Sequence, residues 1–145
     1  MTPQDYDVAY ALWQGFEGIG LGADDSKKGI TRFLARNPGL SFVALEGRRL
    51  VGAALCGHDG RRGYIHHLAV AESHRRRGVG RSLAAQCLSA LKRAGINKCH
   101  LFVFARNHPA LAFWKRLGWE QRVDLTLMSA LTTKARMSQR VAARP

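Results

Sequence analysis

Ala71-Glu72-Ser73-His74-Arg75-Arg76-Arg77-Gly78-Val79-Gly80-Arg81-Ser82 stands between an apolar run ending at Val70 and a stretch of helical periodicity. Gly78 and Gly80 permit close backbone approach. A helix that starts there aims unpaired N–H groups, and the positive end of its dipole, at whatever lies in front. Arg75, Arg76, Arg77 and Arg81 surround that point, and guanidinium forks suit phosphate oxygens. The stretch reads as an anion site. A helix terminus contributes about 0.3 to 1 kcal/mol and each charge-assisted hydrogen bond roughly 1.5 to 3. Several together reach the roughly 8 kcal/mol that micromolar binding of a diphosphate requires. Taken in isolation, the run Arg75 to Arg77 fits a solvated basic turn equally well.

Working outward, Tyr64 to Val70 fits a strand. The helix after the loop carries Leu83, Cys87, Leu88, Leu91 and Ala94 on one face and stops at Gly95. Lys98 to Phe104 is a further strand, so the helix is a right-handed crossover between parallel neighbours. Upstream, Leu40 to Leu45 and Leu50 to Cys56 flank Glu46-Gly47-Arg48-Arg49, the chemistry of a tight hairpin. Two helices precede them. The first is capped by Thr2, with Pro3 in its first turn and Val8, Leu12 and Phe16 at helical spacing. The second is capped by Ser26, turns Ile30, Phe33 and Leu34 inward, and breaks at Asn37-Pro38-Gly39. Pro109 opens a last helix that ends at Gly118, and Trp119 to Leu131 reads as one or two closing strands. We expect a single domain over 1–131 and a basic, disordered tail over 132–145.

The 145 residues suit one domain, and 46% hydrophobic with 23% charged residues is an ordinary globular composition. No apolar run approaches the roughly 20 residues of a membrane span, and the first residues lack the pattern of a signal peptide. A cytoplasmic protein is expected. Cys56, Cys87 and Cys99 are odd in number and lack metal-binding spacing, so they read as reduced, buried thiols, and no metal is expected. The formal charge of +13 calls for an anionic partner: nucleic acid, membrane phosphate or a phosphorylated cofactor.

Nucleotide motifs narrow the choice. No GxxxxGK[ST] is present, and a dinucleotide fingerprint starting at Gly78 fails at Leu83. Gly18-Ile19-Gly20-Leu21-Gly22-Ala23 satisfies GxGxxA but follows a helical pattern instead of a strand. What remains is an ordered set: a strand ending Leu68-Ala69-Val70, then Arg75-x-x-Gly78-x-Gly80 opening a helix, then a strand, then Asn107-x-x-Ala110-x-x-x-Trp114-x-x-x-Gly118-Trp119. This arrangement resembles the GNAT superfamily of acyl-coenzyme A N-acetyltransferases, over roughly Leu40 to Leu131.

The resemblance implies an α/β fold of the α+β mixed-sheet kind. A central mixed sheet of about six strands is flanked by about four helices and splayed between the two central parallel strands. It implies acetyl-CoA as acetyl donor, held by backbone N–H groups along Arg75, Arg76, Arg77, Gly78, Val79, Gly80, Arg81 and Ser82. Leu68, Ala69 and Val70 would pair with the pantetheine arm, and Asn107, Ala110, Phe113 and Trp114 would line the far wall of the cleft. Two departures stand out. The chain starts almost at the first helix, where the family has a short strand. Trp114 occupies a place where many members carry an acidic Tyr, and an indole cannot supply that proton.

The implied reaction moves an acetyl group from acetyl-CoA to a primary amine, small-molecule or peptide, by direct attack in a ternary complex. The ammonium form has no lone pair, so a base is useful, and His, with an unperturbed pKa near 6.5, suits the task. His66 lies on the strand beside the expected thioester, where serotonin N-acetyltransferase-like members carry a catalytic His. Tyr64, two residues earlier, shares its face, whereas in a regular strand His67 points away unless a bulge intervenes. Leu68 N–H is the implied oxyanion donor. Glu17, Asp24 and Asp25 lie where the family covers its acceptor and would favour a cationic amine. Two other readings stay open: a non-catalytic acyl-CoA sensor, motivated by Trp114, and a basic nucleic-acid or ribosome-binding module, motivated by charge but lacking an RNA-binding aromatic motif. Partners are thus acetyl-CoA and an amine, with no membrane and nucleic acid disfavoured. A homodimer is left open.

Overall fold

The computed structural model describes residues 1–132, so the basic tail expected over 132–145 lies, but for Thr132, outside the described residues. Helices α1 (Tyr6–Gln14) and α2 (Lys27–Arg36) lead into strands β1 (Phe42–Glu46), β2 (Arg49–His58) and β3 (Gly63–Val70). Helix α3 (Val79–Arg93), strand β4 (Cys99–Leu101) and helix α4 (His108–Arg116) complete the order. The sheet runs β1-β2-β3-β4, antiparallel except for the parallel β3–β4 pair, as the crossover required. Glu46 pairs with Arg49 around Gly47, whose φ of +59° is a turn conformation that glycine adopts without cost.

Two clusters cover the sheet. On one face α3 sets Leu83, Ala84, Cys87, Ala90 and Leu91 against Ala54, Cys56 and Ile65, with Trp114 from α4. On the other, α1 and α2 set Tyr6, Ala9, Trp13, Ile30 and Leu34 against Ala53, Leu55 and Ala69. The expected inward face of α1 is corrected: Val8 is exposed, and the buried stripe is Tyr6, Ala9 and Trp13. Leu88 and Ala94 likewise leave the buried face of α3, which small Ala84 and Ala90 occupy so that helix and sheet approach closely.

The strand count is also corrected, to four among the described residues. The apolar alternation Val123, Leu125, Leu127 lies exposed, because a strand needs an edge to pair with and β4 offers three residues. No described strand precedes β1, which is a sheet edge.

Gly57 shows how tightly the α2 side is packed. A Cβ there would lie 2.6 Å from Phe33 Cζ and 2.7 Å from Asn37 Cγ. Asn37 is buried and accepts the His58 N–H at 2.9 Å. Gly57→Ala is expected to destabilise by about 1–3 kcal/mol, the usual cost of overpacking, seen as a lowered midpoint in thermal or urea unfolding.

Candidate active site

β3 and β4 pair at Gly63↔Cys99, Tyr64↔His100 and Ile65↔Leu101, after which they part. β3 continues to Val70, while the chain beyond Leu101 leaves strand geometry, so the strand expected to reach Phe104 stops short. Among the described residues, the edge of β3 from His66 onward therefore has no strand partner on that side. This is the splay.

At the same point β3 bulges. Ala53 pairs with Ala69 and Leu55 with His66, so His67 and Leu68 together stand opposite Ala54. His67 adopts φ +48°, a region that costs a non-glycine residue about 1–3 kcal/mol. The inserted residue does not exchange the two histidines but turns both to one face. His66 meets Phe33 of α2 edge-on at 6.0 Å between ring centroids, and His67 meets Trp13 of α1 at 5.2 Å. Leu68 and Val70 turn to the α3 face and Ala69 to the α1–α2 face.

Tyr64 stacks on His66 at 6.2 Å, and its hydroxyl lies 3.5 Å from the Asp59 carboxylate, too long for a strong bond. Burial, and next the charge of His67, hold His66 below its ordinary pKa, opposed by Asp25. His66 is thus kept as a free base. Asp25 is not an open carboxylate: its Oδ1 lies 2.7 Å from His67 Nε2. Glu17 and Asp24 are exposed.

The loop that opens α3 is shaped by its backbone. Arg76 (φ +62°) and Gly78 (φ +82°) are both left-handed, and the first helical bond runs from Ser82 N–H to Gly78 C=O at 2.9 Å. The N–H groups of Val79, Gly80 and Arg81 are therefore left without intrahelical acceptors. Arg76 and Arg81 are exposed. Arg77 reaches Glu46 at 3.4 Å. Buried His74 places Nε2 2.9 Å from the same Glu46 and Nδ1 2.8 Å from Ser73 Oγ. The hydrogen bond and charge of His74 hold the Glu46 carboxyl below its usual range. Glu46 thereby fastens the loop to the end of β1, a role that a separation of 28 positions hides in the sequence.

Arg75 turns the other way, its guanidinium 4.7 Å from the centre of the Phe16 ring and 3.4 Å from Val70 C=O. The far wall is closed by the Gly18–Gly22 stretch. A Cβ on Gly20 would come 3.0 Å from Phe104 Cζ, and one on Gly18 would collide with the Asn107 side-chain amide. These glycines serve close packing, not a dinucleotide turn. Asn107 caps α4 by accepting the Ala110 N–H at 3.1 Å. Phe113 packs beside Gly80, where a Cβ would lie 3.2 Å from its ring, and Ala110 is half-buried. Trp114 is buried in edge-on contact with Phe113 and Trp119, withdrawn from the opening.

A shallow cleft of about 350 Å³ opens between β1 and the first turns of α3, near Phe42, Ala44, Arg77 and Gln86. None of its lining comes from β3, β4 or α4, so it is separate from the splay. Cys56 and Cys99 are held in the thiol form. The hydrogen bond to Cys87, with burial, raises the Cys56 pKa, and burial pushes Cys99 up to about 12. Among the described residues no cluster of metal-ligating side chains occurs and no helix is long and apolar enough to cross a membrane.

The profile of the family described as "Acetyltransferase (GNAT) family" matches residues 6–119. N-alpha-acetyltransferase 30 of Schizosaccharomyces pombe is 34% identical over 92 residues, covering 60% of this chain and 61% of that protein. The match thus spans less than two thirds of that relative. A putative acetyltransferase from Agrobacterium tumefaciens superposes with a TM-score of 0.69 at 24% identity, over 90% of this chain and 96% of that one. Ard1 from Thermoplasma volcanium gives 0.70 at 23% identity, over 81% and 78%.

Proposed function

Because this chain belongs to the GNAT acetyltransferase family, whose members use acetyl-CoA, we propose that it transfers an acetyl group from acetyl-CoA to a primary amine by direct attack in a ternary complex. One juxtaposition carries the reading: the glycine-turned, arginine-flanked start of α3 stands at the end of β3, the strand that opens from β4 beside His66. The residues present fit the donor. Three helix-start N–H groups and the guanidinium groups of Arg76 and Arg81 suit a diphosphate, and the free edge of β3 through Leu68, Ala69 and Val70 suits the amides of a pantetheine arm. When bound, acetyl-CoA supplies the activated acyl carbon.

The chain's own residues do the rest. His66, neutral and half-buried, takes a proton from the incoming ammonium and frees its lone pair. Leu68 contributes its backbone N–H as the oxyanion donor. Tyr64, stacked on His66, provides the phenol that position 114 lacks. Asn107 and Phe113 hold the far wall, and the Phe16–Gly22 loop covers the acceptor side, where Glu17 and Asp24 remain exposed to meet a cation.

An array of amines and peptides with labelled acetyl-CoA tests the proposal. Label should enter at least one amine with stoichiometric thiol release. Binding without thiol release across the array would favour the sensor reading, and neither binding nor release would end the proposal.

A further inference from the structure

Ten large hydrophobic side chains stand exposed among the described residues, and seven of them fall in two short stretches. Residues 123–131 contribute Val123, Leu125, Leu127, Met128 and Leu131, each 62% to 88% exposed. Val123, Leu125, Leu127 and Leu131 keep the period of two that gives a strand one apolar face, yet the segment joins no helix or sheet. Phe102 and Phe104, just past β4, are 59% and 46% exposed, while Val103 between them packs inward. The outer edge of β4 has no strand partner among the described residues.

Charge singles out the same surface. On a chain of formal charge +13, residues 125–131 carry none. Arg122 and Asp124 beside them neutralise each other through two bonds, at 2.8 and 2.6 Å. Few charges, with Phe and Met among the apolar side chains, is the composition of an interface core. Side chains of this size present about 150–200 Å² each, so the seven leave roughly 700–950 Å² bare on one copy. A stable interface takes about 800 Å² from each partner, whereas the largest apolar patch of an ordinary monomer is about 300–600 Å². The chain's own sheet does not take the segment. After the stronger pull of the Arg122 bond, the charge of Lys98, the residue before β4, still reaches Asp124, so the chain passes near that edge without pairing there.

We propose that residues 123–131 are the exchange strand of a twofold homodimer, each copy laying this segment along the outer edge of its partner's β4 and over the partner's exposed phenylalanines. The same patch then meets itself across the axis, and the contact closes at two copies. The three residues of β4 fix the register, and the apolar faces supply the area. Phe102 stacks on Tyr64 at 6.3 Å, so the partner's segment stands one ring away from Tyr64 and walls the acceptor side of the splay. That consequence rests on the acetyl-transfer reading; the dimer does not.

Sedimentation of the intact protein at about 50 μM should give twice the 16.0 kDa of one chain, falling toward one on dilution. Two copies of charge +13 repel, so raising the salt from about 50 to about 500 mM should tighten the dimer at least about threefold. Leu125→Glu with Leu127→Glu, and separately Phe102→Ser, should each give a monomer that unfolds in urea like the diluted parent, because all three side chains are exposed in the single chain. A parent that stays monomeric at that concentration would overturn the proposal and leave the segment to its own chain. So would a dimer that survives both variants or weakens with salt, or assemblies that keep growing with concentration. A protein that dimerises, responds to both variants and acetylates no amine would defeat the functional reading alone.

Discussion

Replacing His66 by glutamine is expected to lower kcat by about 10²- to 10⁴-fold, the usual worth of a general base, with the Kd for acetyl-CoA within about twofold of the parent. Glutamine keeps the size and polarity of the side chain but has no near-neutral pKa. In the parent protein kcat should climb along an acid limb whose midpoint lies below 6.5, because burial and the charge of His67 disfavour the imidazolium. In His66→Gln that limb should vanish. A parent-like pH profile in the variant would remove His66 from the mechanism.

The same depressed pKa has a sign for stability. The unfolded chain binds a proton at His66 near pH 6.5 and the folded chain does so only lower, so the stabilisation is full above 6.5 and is lost as pH falls through the folded value. The thermal midpoint should therefore drop between pH 7 and 5, and drop less in His66→Gln. Glu46 and Asp59, whose folded pKa values are also depressed, lose their stabilisation at lower pH, in the carboxylate range, and leave this window to the histidine.

Reversing Arg76 and Arg81 to glutamate should weaken acetyl-CoA by at least about 10²-fold in calorimetric titration, since two charge-assisted bonds of roughly 1.5–3 kcal/mol each are lost and repulsion replaces them. Both side chains are exposed, so the unfolding midpoint should move little. Arg77 and Arg75 are poorer choices: one is tied to Glu46 and the other packs on Phe16, so their loss would disturb the loop as well as its charge. Parent-like affinity in the double variant would place the diphosphate elsewhere.

The strand, loop and helix around Gly78 were legible because each carries its own local cause: an apolar run, left-handed glycine, and a periodic face. The hairpin at Gly47 and the cap at Ser26 were legible for the same reason. What escaped was non-local. Ile65-His66-His67-Leu68 sets two polar residues side by side, which a bulge would explain, but only pairing with Ala53, Ala54 and Leu55 shows where the extra residue falls. The Asp25–His67 bond and the Glu46–His74 bond join distant segments, and nothing in the letters announces either. The segment Trp119 to Leu131 misled in the opposite direction, since its alternation describes a strand that finds no edge among the described residues. Gly18 and Gly20, which fit no dinucleotide turn, did hold a signal: small residues between two helices mark a close approach, here to Asn107 and Phe104.

A crystal structure of the protein with coenzyme A measures the central claim directly. The diphosphate should lie within hydrogen-bond distance of the Val79, Gly80 and Arg81 N–H groups, with the pantetheine arm along the open edge of β3 and its sulfur beside His66. Coenzyme A seated in the cleft between β1 and α3, or anywhere that leaves those three N–H groups to water, would contradict it.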